Sequence, residues 1–379
     1  MVDARDLTPR LVAHCRAGFE PEAAADLRRV AAAAEAAVAV DAPLGRGFVV
    51  ATPERFDAQR WPRALTAAPP IFVRALFFGT GPHALLDGAP TKGRANRVTP
   101  LAAMVEAFRT GFPLPGAPHK TRGRLVFDSV RLETPDTNDG KELSGICRAV
   151  ETPLADALRE GGILESGSTM RALHVLFADG AHAYVGASMA PWGSPWPMGI
   201  PRLRMPAGAP SRSTLKLAEA FVTFLGEREL ELVHAGMRAV DLGAAPGGWT
   251  WQLAHRGLRV TAVDNGPLKG EVAQDPLVTH LRSDGITYLP RRPVDWLVCD
   301  IAEQPSRIAA LVARWIGEGH ARRAIFNLKL PMKRRFEETM RCRQIVEDLV
   351  RRARVNCGIS LRQLYHDRRE VTGFVERLD

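Results

Sequence analysis

The sequence predicts an α/β protein of 379 residues, with short α+β elements in its first half and a mainly parallel sheet flanked by helices in its second. Three observations lead there. From residue 213 onward, short apolar runs alternate with helical segments, the pattern of chained strand–helix–strand units. Residues 1–189 hold strand and helix signals in a less regular order, including two strands that flank a tight turn. Between the halves, residues 190–210 contain six prolines, three glycines and two tryptophans, too many fixed φ angles and missing N–H donors for a helix or a central strand.

In order, Leu11–Arg16 reads as a strand, Glu20–Val38 as an Ala-rich helix, and Gly47–Thr52 and Ile71–Phe78 as strands. A basic, Gly-containing stretch at Thr91–Val98 precedes a helix at Leu101–Thr110. Gly123–Val130 reads as a strand and Lys141–Glu160 as mostly helix; Leu173–Ala178 and His182–Ala187 are strands around Asp179-Gly180. In the interdomain stretch, Trp192 and Trp196 are expected to pack onto a domain, while Arg202 and Arg204 sit on the surface or touch a polyanion. Beyond it, Ser213–Leu225 is a helix with a Ser start signal. Arg238–Leu242, Arg259–Val263, Trp296–Cys299 and Ala324–Leu328 are short apolar strands, and Ser360–His366 and Val371–Glu376 a terminal strand pair.

Composition excludes several classes. With 46% hydrophobic and 25% charged residues the chain is neither disordered nor fibrous. Its formal charge of +9 is uneven: residues 1–200 hold 22 Lys/Arg against 21 Asp/Glu, residues 201–379 hold 29 against 21, and residues 307–369 alone hold 16 against 6. Such a basic concentration suits a polyanionic partner, because neutralised phosphates release counterions. Five dispersed cysteines without a CxxC, and histidines without an HExxH, imply reduced thiols and no metal site. The charged N-terminus has no signal-peptide core and no run is long enough to span a membrane, so a cytoplasmic location without membrane partners is expected.

The sharpest local signal is AVDLGAAPGGWTWQLA at 239–254. Val240 and Leu242 end a strand, Pro246-Gly247-Gly248 make a tight loop, and a helix begins near Trp249. Loops of this kind, at the carboxyl end of a parallel sheet, are where open α/β folds bind ligands. Glycines admit close backbone approach, and unpaired helix N–H groups bond a carboxylate. The spacing is not the GxGxxG of dinucleotide sites, and Pro246 removes one donor that a pyrophosphate would use.

This string resembles motif I of S-adenosylmethionine-dependent methyltransferases, in the PGG variant of the RNA ribose 2′-O-methyltransferases related to the bacterial heat-shock RNA methyltransferase. The resemblance implies cofactor contacts from Gly243, Ala245, Pro246, Gly247 and Gly248. It further implies Asp264, ending the second strand, for the ribose hydroxyls, Asp284 near the adenine, and Asp300, ending the fourth strand, beside the sulfonium. The ordinary alternative for Asp284 is an Asp-Gly turn. The same resemblance implies a Lys-Asp-Lys-Glu tetrad, with Lys216, Asp300, Lys329 and Glu370 in the required order. A ribose hydroxyl must lose a proton as it attacks a methyl group, and a lysine near its ordinary pKa of about 10.4 is nearly all protonated at neutral pH. Proximity of Lys216 to Lys329 is expected to favour the neutral amine on one of them, with Lys329 accepting the proton and Lys216 orienting the hydroxyl, or the reverse.

Longer strings narrow the resemblance: CRAGFE (15–20), SRSTLKLAEAF (211–221), VDNGPL (263–268), VCDIAEQP (298–305) and FNLKLPMKRR (326–335) are similar to the ribosomal large-subunit ribose methyltransferase M family over essentially the whole chain. Ala245 stands where many members have Cys. Ser213 is placed at the cofactor by that likeness and at a helix N-cap by its local sequence. The resemblance implies a ferredoxin-like segment (1–90), a THUMP-type RNA-binding domain (91–189), a Pro/Trp-rich linker (190–210) and a Rossmann-like methyltransferase domain (211–379). It also implies 2′-O-methylation of a cytidine in the peptidyl-transferase region of 23S rRNA. A tRNA or another rRNA site, and a non-catalytic RNA-binding protein on the same fold, are the competing readings. Lys92, Arg94, Arg97, Lys120, Arg122 and Arg124 are candidates for an RNA-binding face of the first half, with Lys333, Arg334, Arg335 and the helix through Arg354 for phosphate contacts in the second.

Overall fold

A computed structural model describes residues 7–86, 96–114, 125–165, 167, 171–189 and 192–378. The chain divides into two compact units, Met1–Ile200 and Pro201–Asp379. Among the described residues, the first unit holds β1 (Arg10–Cys15), α1 (Glu20–Ala33), β2 (Val38–Asp41), β3 (Phe48–Pro53), α2 (Arg60–Ala67) and β4 (Val73–Ala84). Then come α3 (Val98–Gly111), β5 (Ser129–Glu133), α4 (Asn138–Glu160), β6 (Arg171–Phe177) and β7 (His182–Met189). The strands form one sheet in the order β2-β3-β1-β4-β7-β6-β5, antiparallel except for β5 with β6.

Helix α1 ends at Ala33, short of the expected Val38, because Glu35 takes a φ of 54° and the β-branched Val38 and Val40 leave to pair with β3. Of the strand expected at Gly123–Val130, Gly123 and Arg124 lie outside the described residues, and the described strand runs Ser129–Glu133, where five residues pair with β6. Beneath it, the buried Glu133 carboxylate stands 3.2 Å from His14 Nε2 and 2.8 Å from His174 Nδ1, and accepts the Met198 N–H at 2.6 Å. Burial alone raises this carboxyl, but His174 and His14 outweigh burial and hold it well below the usual carboxylate range. Arg97 turns its guanidinium onto the Gly180 carbonyl at 3.0 and 3.1 Å; Lys92, Arg94, Lys120, Arg122 and Arg124 lie outside the described residues.

The Pro-rich stretch packs at both ends. Trp192 meets Phe78 edge-on with ring centroids 4.9 Å apart, and Arg131 donates to the Ser194 carbonyl at 2.6 Å, both within the first unit. Ala209 packs against a cluster around Trp251 and Val272 in the second. Arg202 and Arg204 are exposed.

The second unit comprises α5 (Thr214–Phe224), α6 (Glu229–Leu232), β8 (Arg238–Leu242), α7 (Gly248–Ala254), β9 (Arg259–Val263) and β10 (Val278–Leu281). It continues with β11 (Val294–Cys299), α8 (Pro305–Gly317), β12 (Ala321–Lys329), α9 (Arg335–Arg352), β13 (Cys357–Arg362) and β14 (Glu370–Arg377). The order β10-β9-β8-β11-β12-β14-β13 is parallel from β10 to β12 and antiparallel at β14 and β13. The order in which strands are added reverses between the parallel neighbours β8 and β11, so the crevice beyond their carboxyl ends is the switch point where such sheets take ligands. Phe221, Trp249, Leu253, Trp296 and Phe374 belong to one core cluster that joins α5 and α7 to the sheet.

Strand β13 lies at Cys357–Arg362, three residues before the expected Ser360–His366. The reason is chemical: the N–H groups of Tyr365 and His366 bond the buried Glu219 carboxylate at 2.7 and 2.8 Å, and that of Leu364 bonds Asp367 at 3.1 Å. Donors held by side chains cannot join a ladder.

Candidate active site

The second unit brings Lys216, Asp300, Lys329 and Glu370 together from four elements. Helix α5 supplies Lys216, and one turn on its Glu219 ties the 365–366 backbone to the same helix. Asp300 follows β11, its N–H bonded to the Leu242 carbonyl at 3.2 Å. Lys329 ends β12, directly opposite Glu370 in the antiparallel register with β14. Lys216 Nζ lies 3.0 Å from Glu370 Oε1 and 3.7 Å from Asp300 Oδ2. Lys329 Nζ lies 3.3 Å from Glu370 Oε1 and donates to Asp300 Oδ1. The second Glu370 oxygen accepts the N–H groups of Arg368 and Arg369 at 2.6 and 3.0 Å.

These side chains are largely but not fully covered, between 14% and 27% exposed. Burial raises Glu370, yet Lys216 and Lys329 outweigh it and hold its carboxyl down at about 2. Burial lowers the Lys329 amine, but Asp300 and Glu370 reverse that and raise it above its ordinary 10.5. The expected drift toward a neutral Lys329 is therefore not what the site imposes at rest: two carboxylates within reach outweigh burial.

Asp300 also lines a cavity of about 360 Å³, together with Ser211, Arg212, Ser213, Gly243, Ala244, Ala245, Pro246 and Trp249. The cradle is cut close to the backbone. Gly243 takes a φ of 78°, and a Cβ there would lie 2.8 Å from Ile301. At Gly248 a Cβ would stand 2.3 Å from Ser213 Oγ and 2.6 Å from Ser211 Oγ, and Gly247 takes a φ of 115°. Behind the loop, Asp264 accepts the N–H groups of Ala245 at 3.0 Å and Gly266 at 2.7 Å, so it holds the loop in place. Asp241 is fully buried, accepts the Thr250 hydroxyl at 2.6 Å, and leaves Oδ1 with no partner; burial pushes its carboxyl up to about 7.

The cavity lining thus takes in Ser213, Gly243, Ala245, Pro246 and Asp300, with Gly247, Gly248 and Asp264 beside it. Asp284 does not join: it is exposed, and its Oδ1 accepts the Ile286 N–H at 2.9 Å in an Asp-Gly turn. Ser213 precedes α5 without capping it, its hydroxyl bonding Ser211 Oγ at 2.7 Å instead. Sequence reasoning missed Ser211, Arg212 and Trp249, which flank residues it named. It also missed the buried Asn327, which donates to Asp300 Oδ1 at 3.0 Å and lies within the FNLK string. Lys333 and Arg334 are exposed just beyond β12.

Residues 209–315 match the FtsJ-like methyltransferase family. The unit that carries the glycine cradle is therefore a methyltransferase domain. Residues 8–77 match the RlmM ferredoxin-like domain, and residues 96–189 match the N-terminal region of Ribosomal RNA large subunit methyltransferase M. Proteins bearing that last name are similar along nearly the full length. The one from Azoarcus sp. (strain BH72) is 46% identical over 96% of this chain and 95% of its own. That of Methylococcus capsulatus is 45% identical over 97% of each, and that of Pseudomonas fluorescens 43% over 97% of each. The chain belongs to the ribosomal RNA large subunit methyltransferase M family.

Proposed function

We propose that the protein transfers a methyl group from S-adenosyl-L-methionine to the ribose 2′-hydroxyl of a cytidine in the peptidyl-transferase region of 23S rRNA, in the cytoplasm. The observation that carries this reading is the convergence of two lysines on two carboxylates at the rim of the glycine-lined cavity, through the shared Asp300. The pocket suits the donor: a glycine surface that a Cβ would fill, two serine hydroxyls, and the Asp264 carboxylate behind the loop. When bound, the cofactor supplies a methyl group activated by positive charge on sulfur.

This chain's residues handle the proton. Lys216 and Glu370 hold the hydroxyl in line, and Lys329 Nζ accepts its proton as the new carbon–oxygen bond forms. Because Asp300 and Glu370 favour the ammonium form of Lys329, only its small neutral fraction serves at neutral pH. Residues 1–90, a ferredoxin-like segment, and 91–189, a THUMP-type domain, select the target. The 190–210 stretch links them to the catalytic domain of 211–379, and the exposed Lys333 and Arg334 meet phosphates. Mapping ribose methylation on 23S rRNA from cells with and without the protein tests this reading. One cytidine in the peptidyl-transferase region loses its 2′-O-methyl group in its absence; loss at a base, in a tRNA, or nowhere overturns it.

A further inference from the structure

Asn327 on β12 and Thr372 on β14 are cross-strand partners, and both are buried. Thr372 Oγ1 stands 2.8 Å from Asn327 Oδ1 and 2.9 Å from Asp367 Oδ2. One hydroxyl has one proton, so it cannot serve both oxygens. The Asn327 amide decides between them. Its Nδ2 faces Asp300 Oδ1 at 3.0 Å, an oxygen that also takes a Lys329 proton. Turning the amide over would set two acceptors against each other there. Asn327 Oδ1 therefore faces Thr372 and can only accept, which commits the hydroxyl proton to Asn327. The contact between Thr372 and Asp367 is then a hydrogen bond only if Asp367 donates.

We infer that Asp367 is a neutral carboxylic acid, and that Asp367, Thr372 and Asn327 form a one-way row of donors that fixes Asp300 against Lys329. Thr372 and Asn327 are thus positioning residues: both are buried and act through Asp300. The surroundings agree. Asp367 is fully buried and its Oδ1 has no partner, a costly place for a full charge. Burial pushes its carboxyl up to about 7, against the Leu364 N–H and Lys216, with Glu370 adding to the rise. His366, next to Asp367, is paired with Glu219 of α5 at 2.6 Å.

The catalytic half of the inference rests on the methyl-transfer reading above; the proton on Asp367 does not. Infrared difference spectra of the whole protein, wild type against Asp367→Asn at a pH near 6, read that proton directly. A carbonyl band of a neutral carboxylic acid is expected in the wild type, absent in the variant, and shifted in Thr372→Val. A wild type with carboxylate bands alone at this position overturns the row of donors, whatever reaction the protein performs. In turnover, Thr372→Val lowers kcat by about tenfold or more with KM for rRNA and cofactor within about twofold, and Thr372→Ser restores most of it. An unchanged kcat in Thr372→Val overturns the positioning role. Should that variant not fold, Thr372→Ser and the infrared band still decide.

Discussion

Each unit contains a carboxylate cluster between two basic groups, and the two are built for opposite ends. In the first, Glu133 lies between His14 and His174, and His174 continues to Ser188 Oγ at 2.7 Å. Serine, histidine and glutamate stand in the order of an activated nucleophile. Yet Ser188 is 2% exposed and the Phe77 ring stacks on His174 at 4.8 Å. In the second, Asp300 and Glu370 lie between Lys216 and Lys329, whose side chains are 14% and 27% exposed, and Asp300 borders a cavity. The order of hydrogen bonds is a weak guide to chemistry. What separates the two clusters is whether a reacting atom can reach the charged ends.

Removing a base from each cluster sharpens the contrast most. Lys329→Ala is expected to lower methyl transfer by about 10²–10⁴-fold, while calorimetry finds cofactor affinity nearly unchanged. Glu133→Gln is expected to act on folding, destabilising the protein by about 3–5 kcal/mol because His14 and His174 lose the buried carboxylate they both bond, with cofactor affinity intact. The sign of its pH dependence follows. Glu133 titrates below its ordinary 4.5 when folded, so its contribution is complete above that pH and is lost on acidification. Denaturant midpoints for wild type and Glu133→Gln should therefore converge as pH falls below about 4.5.

The open cluster has the opposite signature. Lys329 serves as a proton acceptor only when neutral, and its folded pKa is raised. Single-turnover rates should rise about tenfold per pH unit through neutrality; a flat profile with chemistry rate-limiting would remove Lys329 from that role. The smallest effect concerns RNA affinity. Replacing Arg334 and Arg335 should lower the salt dependence of binding, log K against log salt, by about 0.7–0.9 per lost phosphate contact.

The cradle was legible in the sequence because its geometry forces residue choice: only glycine serves a φ of 78° at Gly243 or leaves room against Ser213 at Gly248. The tetrad was legible as residue types at strand ends, since Asp300, Lys329 and Glu370 each sit where a strand meets the carboxyl edge or its antiparallel partner. Asn327 and Thr372 were not. A polar residue inside a short strand has no local signal, and their pairing exists only through the register of β12 with β14. The shift of β13 was hidden for the same reason, because Glu219 captures its backbone donors from 146 residues away in the chain.

The proposed reaction is methylation of a ribose hydroxyl at this lysine–carboxylate cluster. Purified protein, 23S rRNA from cells lacking it, and S-adenosyl-L-methionine with a labelled methyl group test it most directly, followed by digestion to nucleosides. Label is expected in 2′-O-methylcytidine with the wild type, and at least about 10²-fold less of it with Lys329→Ala. Label on a base, or undiminished label with Lys329→Ala, would contradict it.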